Sequence, residues 1–374
     1  VKKRIWIVAG EASGDARSAE VMRAIRALDP DVEFVGAGGP KMRPLAAEPF
    51  DDWIAEAGVL GLWDVLRNYG YFKAKFDRML ANIARMKPAA VLLVDYPGFN
   101  LRLAKALRAR QPRLKILFYV SPQVWAWNRG RIPKMARWLD LMLCIFPFEK
   151  PLYEQSGLRT EFVGHPIVEQ MARDRVPVAR DPGLLGLFPG SREREVNRIF
   201  PAMVGAARRV ADSRPDVRFE AAAATEAHAE IMRAMAGDAP IEIRAGTAHE
   251  LMQRAGVGIV CSGTATLEAA CFGLPYALVY KTAWLTYEVG LRLVRVKHLG
   301  IVNILAGRTV VREFIQHAAS PGALADEALR LLNDDAARAR LADELAAVVA
   351  SLNGERAAER AALAVLGEVG MVEG

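Results

Sequence analysis

Carboxylates, one arginine and clusters of small hydroxyl residues recur at four places where an apolar run gives way to a helical pattern. The first is Ala9-Gly-Glu-Ala-Ser-Gly-Asp15. It lacks the Gly-x-Gly-x-x-Gly spacing that lets a backbone approach a pyrophosphate, and its acids would repel one. Sugar hydroxyls donate hydrogen bonds to carboxylates, so Glu11, Ser13, Gly14 and Asp15 are candidate sugar contacts; Ser13 or Asp15 could equally cap the following helix. The second is Val94-Asp-Tyr-Pro-Gly-Phe-Asn100. A carboxylate at the end of a buried strand is partly desolvated and holds its proton more tightly, which suits Asp95 to general-base work or simply to pinning a turn. The third, Phe188-Pro-Gly-Ser-Arg192, offers the amides of Gly190 and Ser191 to a phosphate and the forked cation of Arg192 to leaving-group charge. The fourth, Cys261-Ser-Gly-Thr-Ala-Thr-Leu-Glu268, places Ser262, Gly263, Thr264, Ala265 and Thr266 at a helix start. Glu268 follows on the same face as Thr264. Together these suit a nucleoside diphosphate, with amides and hydroxyls on the phosphates and the carboxylate on ribose hydroxyls.

Such loops need strands to present them. Apolar, β-rich runs are expected at Arg4–Val8, Glu33–Val35, Ala90–Val94, Lys115–Val120, Leu141–Ile145 and Glu161–Val163, with helical patterns such as Ser18–Leu28 and Leu101–Arg110 between them. The second half repeats the alternation. Its strands are expected at Leu184–Phe188, Val217–Ala222, Ile241–Arg244, Val257–Val260 and Tyr276–Val279. Strand–helix alternation predicts parallel sheets covered on both faces, and ligands in such folds bind at the carboxyl ends of the strands. The expectation is therefore an α/β chain of two doubly wound domains, 1–172 and 173–345, facing across a cleft. A helical tail, 346–374, would end the chain and could cross back to the first domain. The charged, proline-bearing stretch Arg173–Pro182 reads as the hinge.

Composition narrows the partners. A chain of 374 residues, 52% hydrophobic and 25% charged, is globular and long enough for two cores. Cys144, Cys261 and Cys271 read as buried free thiols, and the five histidines match no zinc spacing, so no metal is expected. No run is long enough for a transmembrane helix, and Arg4–Val8 enters a loop without a signal-peptide cleavage site; a cytosolic chain is expected. Positive charge is concentrated: residues 67–137 hold 16 Lys and Arg against two acids, Asp77 and Asp95. That field favours a polyanion, whether nucleic acid, an acidic membrane or a phosphorylated substrate.

Seven blocks then occur in a fixed order. They are Gly10-Glu-Ala-Ser-Gly-Asp15, Tyr119-Val-Ser-Pro-Gln-Val-Trp-Ala-Trp127, Phe146-Pro-Phe-Glu-Lys150, Phe162-Val-Gly-His-Pro166, Phe188-Pro-Gly-Ser-Arg192, Ser262-Gly-Thr-Ala-Thr-Leu-Glu268 and Asn303-Ile-Leu-Ala-Gly307. Together they resemble the lipid-A-disaccharide synthases, glycosyltransferases built from two Rossmann-like domains in the GT-B arrangement. The resemblance implies a UDP-2,3-diacylglucosamine donor and a 2,3-diacylglucosamine 1-phosphate acceptor. The acceptor's 6-hydroxyl would displace UDP with inversion, giving a β-1′,6-linked disaccharide 1-phosphate. By position Asp95 matches the family's essential aspartate, Arg192 its essential arginine, 262–268 its UDP-binding segment, and Asn303 a motif asparagine near the cleft. Inversion asks for one base, for which Glu11 and Asp15 compete with Asp95. It also asks for positive charge at the departing diphosphate; Arg192 and the Thr264 helix start could supply it without a cofactor or metal. Three positions depart from the family pattern, namely Gly98, Gln123 (itself a candidate sugar contact) and Arg312.

Acylated substrates require contact with a bilayer. In 59–80, Trp63, Val65, Leu66, Tyr69, Phe72, Phe76 and Leu80 are interleaved with bases including Lys73. This reads as an interfacial segment for anionic lipid at the inner membrane, or else as an amphipathic helix packed on its own sheet. A UDP-N-acetylglucosamine 2-epimerase or another sugar transferase on the same fold is the nearest rival reading. A basic nucleic-acid-binding protein would explain the charge but not the Ser-Gly-Thr helix start, and no nucleic-acid partner is expected.

Overall fold

The computed structural model describes residues 3–54, 69–283 and 297–370. The chain divides into two units, residues 1–166 with 354–374, and residues 167–353. The first unit holds a seven-stranded sheet in the order β3-β2-β1-β4-β5-β6-β7. Its strands are β1 (Arg4–Ala9), β2 (Glu33–Gly38), β3 (Phe50–Asp52), β4 (Ala90–Val94), β5 (Lys115–Tyr119), β6 (Leu141–Cys144) and β7 (Thr160–Phe162). The second holds six, in the order β10-β9-β8-β11-β12-β13. These are β8 (Asp181–Phe188), β9 (Arg218–Ala223), β10 (Ile241–Ala245), β11 (Ala255–Cys261), β12 (Tyr276–Tyr280) and β13 (Glu313–Ile315).

Every pairing among the described residues is parallel. The reason lies in the sequence of the central strands. Every residue of β4 is fully buried, as are Ile5, Ile7, Val8 and Ala9 of β1, so both faces need a cover. Helices supply it from one apolar stripe each: Val21, Met22 and Ile25 of helix Ala12–Leu28, and Val196, Ile199, Phe200 and Met203 of helix Glu193–Ser213. In each unit the strand order reverses beside the first strand, β1/β4 and β8/β11, which opens a crevice above the carboxyl ends.

Two boundaries differ from expectation, and one stretch is described only in part. The crossing between units falls at 166/167, not at Arg173–Pro182, because that stretch is clamped onto the second unit. Arg175 Nη2 donates to the Cys271 carbonyl (2.8 Å), Arg180 Nη2 to that of Phe272 (2.8 Å), and Gln253 Oε1 accepts from the Val176 amide (2.9 Å). The tail returns to the first unit from 354 onward, not as one helical segment from 346, and helix Ala357–Gly370 packs on helix Ala12–Leu28. Its buried Glu368 accepts from Lys115 Nζ (3.0 Å) and pairs with Arg159. Finally, of the expected interfacial residues Trp63, Val65 and Leu66 lie outside the described residues. Tyr69 and Phe72 fall in helix Tyr69–Met86, where Leu80 is buried in the core and Phe76 packs edge-on against Phe99 (5.5 Å). Lys73 is exposed and pairs with Asp77 (2.9 Å). Part of that apolar stripe therefore belongs to the protein's own core.

Candidate active site

In the first unit, β1 and β4 end in register at Ala9 and Val94, so Gly10 and Asp95 emerge side by side. Asp95 (φ +50°) and Tyr96 (φ +47°) are consecutive left-handed residues, each costing about 1–3 kcal/mol of backbone strain. Four bonds hold the kink. The Asp95 amide donates to the Tyr119 carbonyl (2.9 Å), the Tyr96 amide to Asp95 Oδ1 (2.9 Å), and Asn100 Nδ2 to the carbonyls of Asp95 (2.8 Å) and Val94 (3.2 Å). The turn throws the Asp95 side chain outward, leaving it 27% exposed, with Oδ2 3.8 Å from Arg17 Nη1. Burial raises the Asp95 carboxyl above the usual carboxylate range, while Arg17 and the Tyr96 amide pull it back. Arg17 also faces His165, a buried imidazole pushed down to about 3 by desolvation and then by that guanidinium, and hence neutral.

The Gly10–Asp15 loop divides into two roles. Glu11 and Ser13 are exposed at the start of helix Ala12–Leu28, Glu11 close enough to Tyr96 to raise its phenol further after burial has done so. Gly10 lies under the Tyr96 ring, where a Cβ would sit 2.2 Å from a ring carbon; a Cβ on Gly14 would come within 4.0 Å of the Asp95 Cβ. Asp15 is different. It is 2% exposed, and its oxygens accept from the amides of Gly39 (3.0 Å), Met42 (3.0 Å) and Lys41 (2.9 Å). The expectation that Asp15 touches sugar or acts as base gives way to a structural role, tying the loop after β2 to the helix.

Beyond β5, Val120 is again left-handed (φ +65°), and the chain enters the Ser-Pro-Gln-Val-Trp run. That run is built on Glu149, a fully buried carboxylate. It accepts from Ser121 Oγ (2.6 Å), Trp125 Nε1 (2.9 Å) and the Phe146 amide (3.2 Å), and burial pushes it up to about 7 against those bonds. Gln123 stays exposed at the crest. Two of the seven sequence blocks are thus one structural unit.

In the second unit, β8 and β11 are neighbours and their following loops adjoin. Gly190 adopts φ +109°, and a Cβ there would lie 2.5 Å from Glu195 Oε2. That oxygen accepts from the amides of Ser191 (3.2 Å) and Arg192 (3.3 Å), while Glu195 Oε1 holds Arg192 Nη1 at 2.8 Å. Arg192 remains 80% exposed and can turn to another anion. Cys261 closes the gap between the two loops; burial, then the Glu195 charge, pushes its thiol up to about 12, so it is inert.

Gly263 and Thr264 are exposed at the start of helix Thr264–Cys271, with Ser262 and Ala265 half-buried. Thr266 is not available as expected: it is buried, and its hydroxyl donates to the Gly263 carbonyl (2.7 Å). Glu268 lies one turn further along, 3.7 Å from His249 Nε2, and His249 Nδ1 lies 3.0 Å from Asp174 Oδ2. Asn303 also departs from expectation. It is fully buried, donating to Glu313 Oε1 (2.8 Å) and the Val311 carbonyl (2.8 Å) and accepting from the amides of Val310 (2.7 Å) and Val311 (3.0 Å). Its bonding capacity is spent on seating β13, which leaves nothing for a sugar. Of the departures from the family pattern, Gly98 faces open space and Arg312 pairs with the buried Glu327 (2.7 Å). Among the described residues no group of three or more His, Cys, Asp or Glu is placed to hold a metal ion. Nor is any helix among them long and apolar enough to cross a membrane.

Two parallel α/β units, one presenting a strand-end carboxylate and the other a phosphate-type loop beside a Ser-Gly-Thr helix start, define a nucleotide-sugar enzyme of the GT-B class. Solved structures share this fold. A UDP-GlcNAc 2-epimerase from Neisseria meningitidis, bound to UDP-GlcNAc, is 10% identical with a TM-score of 0.63, covering 97% of this chain and 100% of that one. The glycotransferase of kitacinnamycin is 15% identical with a TM-score of 0.58, covering 98% of each. Sequence is more specific. The family model described as lipid-A-disaccharide synthetase matches residues 5–366. A lipid-A-disaccharide synthase of Trichlorobacter lovleyi is 41% identical over 98% of both chains, one of Geobacter sulfurreducens 39% over 98% of this chain and 97% of its own, and one of Myxococcus xanthus 37% over 97% of both. The chain belongs to the lipid-A-disaccharide synthase family: it is a glycosyltransferase that forms the lipid A disaccharide from a UDP-sugar donor and a lipid acceptor.

Proposed function

We propose that the chain joins UDP-2,3-diacylglucosamine to 2,3-diacylglucosamine 1-phosphate with inversion and without a metal, Asp95 acting as the base. The carrying observation is the Asp95 carboxylate itself, thrown outward by two left-handed residues and raised by burial while Arg17 holds it in check. A carboxylate in that state accepts the proton of the acceptor's 6-hydroxyl as the hydroxyl oxygen attacks the donor's anomeric carbon. The bond from that carbon to the diphosphate oxygen breaks as the new one forms, and UDP leaves with the electron pair. Arg192, exchanging Glu195 for the diphosphate, and the amides at Thr264 stabilise the departing charge, with Glu268 on the ribose hydroxyls.

Buried, backbone-bonded Asp15 drops out as a competing base, while Glu11 lies exposed at the start of helix Ala12–Leu28. Membrane association is proposed from the basic stretch 67–137 together with the large apolar residues before it, meeting an anionic lipid surface. The test is turnover of the two synthetic substrates with EDTA present, read by mass spectrometry for a tetra-acylated disaccharide 1-phosphate and UDP. Asp95→Asn is expected to lower kcat by about 10²–10⁴-fold while UDP still binds. Near-normal turnover of that variant would remove Asp95 from the mechanism.

A further inference from the structure

We infer that His249 is a positioning residue, fixing the Glu268 carboxylate so that it selects the ribose hydroxyls of the donor nucleotide. The inference rests on the proposed reading of 262–268 as the nucleotide site.

Glu268 alone is poorly fixed for such a task. Its flexible side chain is half-buried on helix Thr264–Cys271, and recognising two vicinal hydroxyls requires its oxygens in one orientation. His249 supplies the constraint from the neighbouring helix Ala248–Arg254. Its ring packs against Phe272, with centroids 5.6 Å apart, and its Nδ1 lies 3.0 Å from Asp174 Oδ2. With Nδ1 held against that carboxylate and the ring against Phe272, Nε2 is the nitrogen turned to Glu268 Oε2, at 3.7 Å. With Nε2 protonated the contact is an ion pair; without the proton, a lone pair faces a carboxylate. Glu268 and then Asp174 accordingly raise the imidazole above its ordinary range, against burial.

Asp174 is itself anchored. Gln253, one turn beyond His249, donates Nε2 to the Asp174 carbonyl (3.1 Å) and accepts from the Val176 amide (2.9 Å), while Arg175 grips the Cys271 carbonyl at the end of the Glu268 helix (2.8 Å). The strap 174–180, the His249 helix and the Glu268 helix are therefore tied together through side chains that neither catalysis nor diphosphate binding uses. The other charges nearby have partners of their own: Arg254 lies 3.9 Å from Glu250 and also pairs with buried Glu220, leaving Asp174 and Glu268 to face the imidazole. A carboxylate–imidazole–carboxylate chain on a scaffold this closely bonded orients its terminal group.

The experiment is calorimetric binding of UDP and 2′-deoxy-UDP to the full chain and to Glu268→Gln, His249→Ala and His249→Gln, with donor kinetics alongside. His249→Ala is expected to weaken UDP about tenfold, the value of one oriented, charge-assisted contact, and to lose its preference for UDP over 2′-deoxy-UDP by a similar factor. The kinetic loss falls on KM for the donor more than on kcat. Wild-type affinity falls relative to His249→Gln as pH rises from about 6 to about 8, since the amide has no proton to lose while UDP titrates equally in both. Wild-type affinity, ribose preference and pH dependence in both His249 variants, with Glu268→Gln impaired, would overturn the inference alone. A wild-type chain that does not bind UDP, or a Glu268→Gln variant that binds it normally, would overturn the nucleotide site as well.

Discussion

Replacing Asp15 separates a carboxylate that holds backbone from one that handles substrate. Its three acceptor bonds go to the amides of Gly39, Met42 and Lys41, of which Gly39 and Met42 are buried and Lys41 is exposed. Asp15→Ala strands the buried Gly39 amide, at about 1–3 kcal/mol, and takes one of two acceptors from the Met42 amide, which keeps the Gly39 carbonyl (3.2 Å), while water can reach the third; the expected loss is about 2–4 kcal/mol. Asp15→Asn keeps an oxygen for the Gly39 and Met42 amides but turns an NH₂ towards the Lys41 amide, losing one exposed bond and the charge, at about 1–2 kcal/mol. For a unit of this size each kcal/mol moves the melting temperature by about 2–4 °C, so Ala should melt roughly 5–15 °C below wild type and Asn only a few degrees below. Thermal unfolding followed by circular dichroism reads the first quantity, and steady-state kinetics well below the transition reads the second. Both variants should keep kcat and acceptor KM within a few-fold of wild type. An Asn variant with unchanged melting and a kcat lowered by about 10²-fold or more would put Asp15 back among the reacting groups.

Removing the Arg17 guanidinium by Arg17→Met leaves Asp95 desolvation unopposed at that side, so the acidic limb of the kcat/KM profile should move to higher pH; a limb that stays put separates Arg17 from the base. Glu149, raised from an unfolded value near 4.5 to about 7, binds its proton more tightly in the folded chain. Its contribution to stability is therefore complete below pH about 4.5 and is lost as pH rises towards about 7, by up to ~3 kcal/mol. Glu149→Gln should flatten that decline in urea titrations across the window, and an unchanged slope would assign it to other groups. Trp63→Ser combined with Phe72→Ser should move the protein from a vesicle pellet containing anionic lipid to the supernatant; an unaltered distribution would place the membrane contact elsewhere.

Most strands were legible because burial on both faces leaves continuous apolar runs, and β4 was expected at its observed bounds. The two missed strands, β3 and β13, are three-residue edge strands, half-exposed and too short to show a period. Helix Ala12–Leu28 begins six positions before its expected start at Ser18 because Gly14, a poor helix former, sits in its first turn. A Cβ there would meet Ala9 and Asp95 only at ordinary van der Waals distances of 3.5 and 4.0 Å, so packing does not demand the glycine. Arg173–Pro182 misled for a related reason. Arginine and proline look like linker chemistry, yet Arg175 and Arg180 spend their guanidinium protons on carbonyls of the second unit.

The candidate site shows the same division more sharply. Asp15, Asp95, Glu195 and Glu268 all lie in or just after loops that follow strands, and residue type alone ranks them equally. What separates them is how many donors each already holds. Asp15 is saturated by three amides, and Asn303 by four partners of its own, so evolution of a binding role there would cost the fold its loops. Asp95 holds one amide and leaves an oxygen towards Arg17 in a partly open position. Glu195 occupies amides and a guanidinium, but Arg192 is exposed and can turn to another anion. A sequence displays the carboxylates but not their partners, and those partners come from residues such as Gly39, Met42 and Arg17 that carry no chemical signature of their own. Functional and structural acids at strand ends are thus told apart by unspent hydrogen-bonding capacity next to solvent, a property that exists only once the chain has folded.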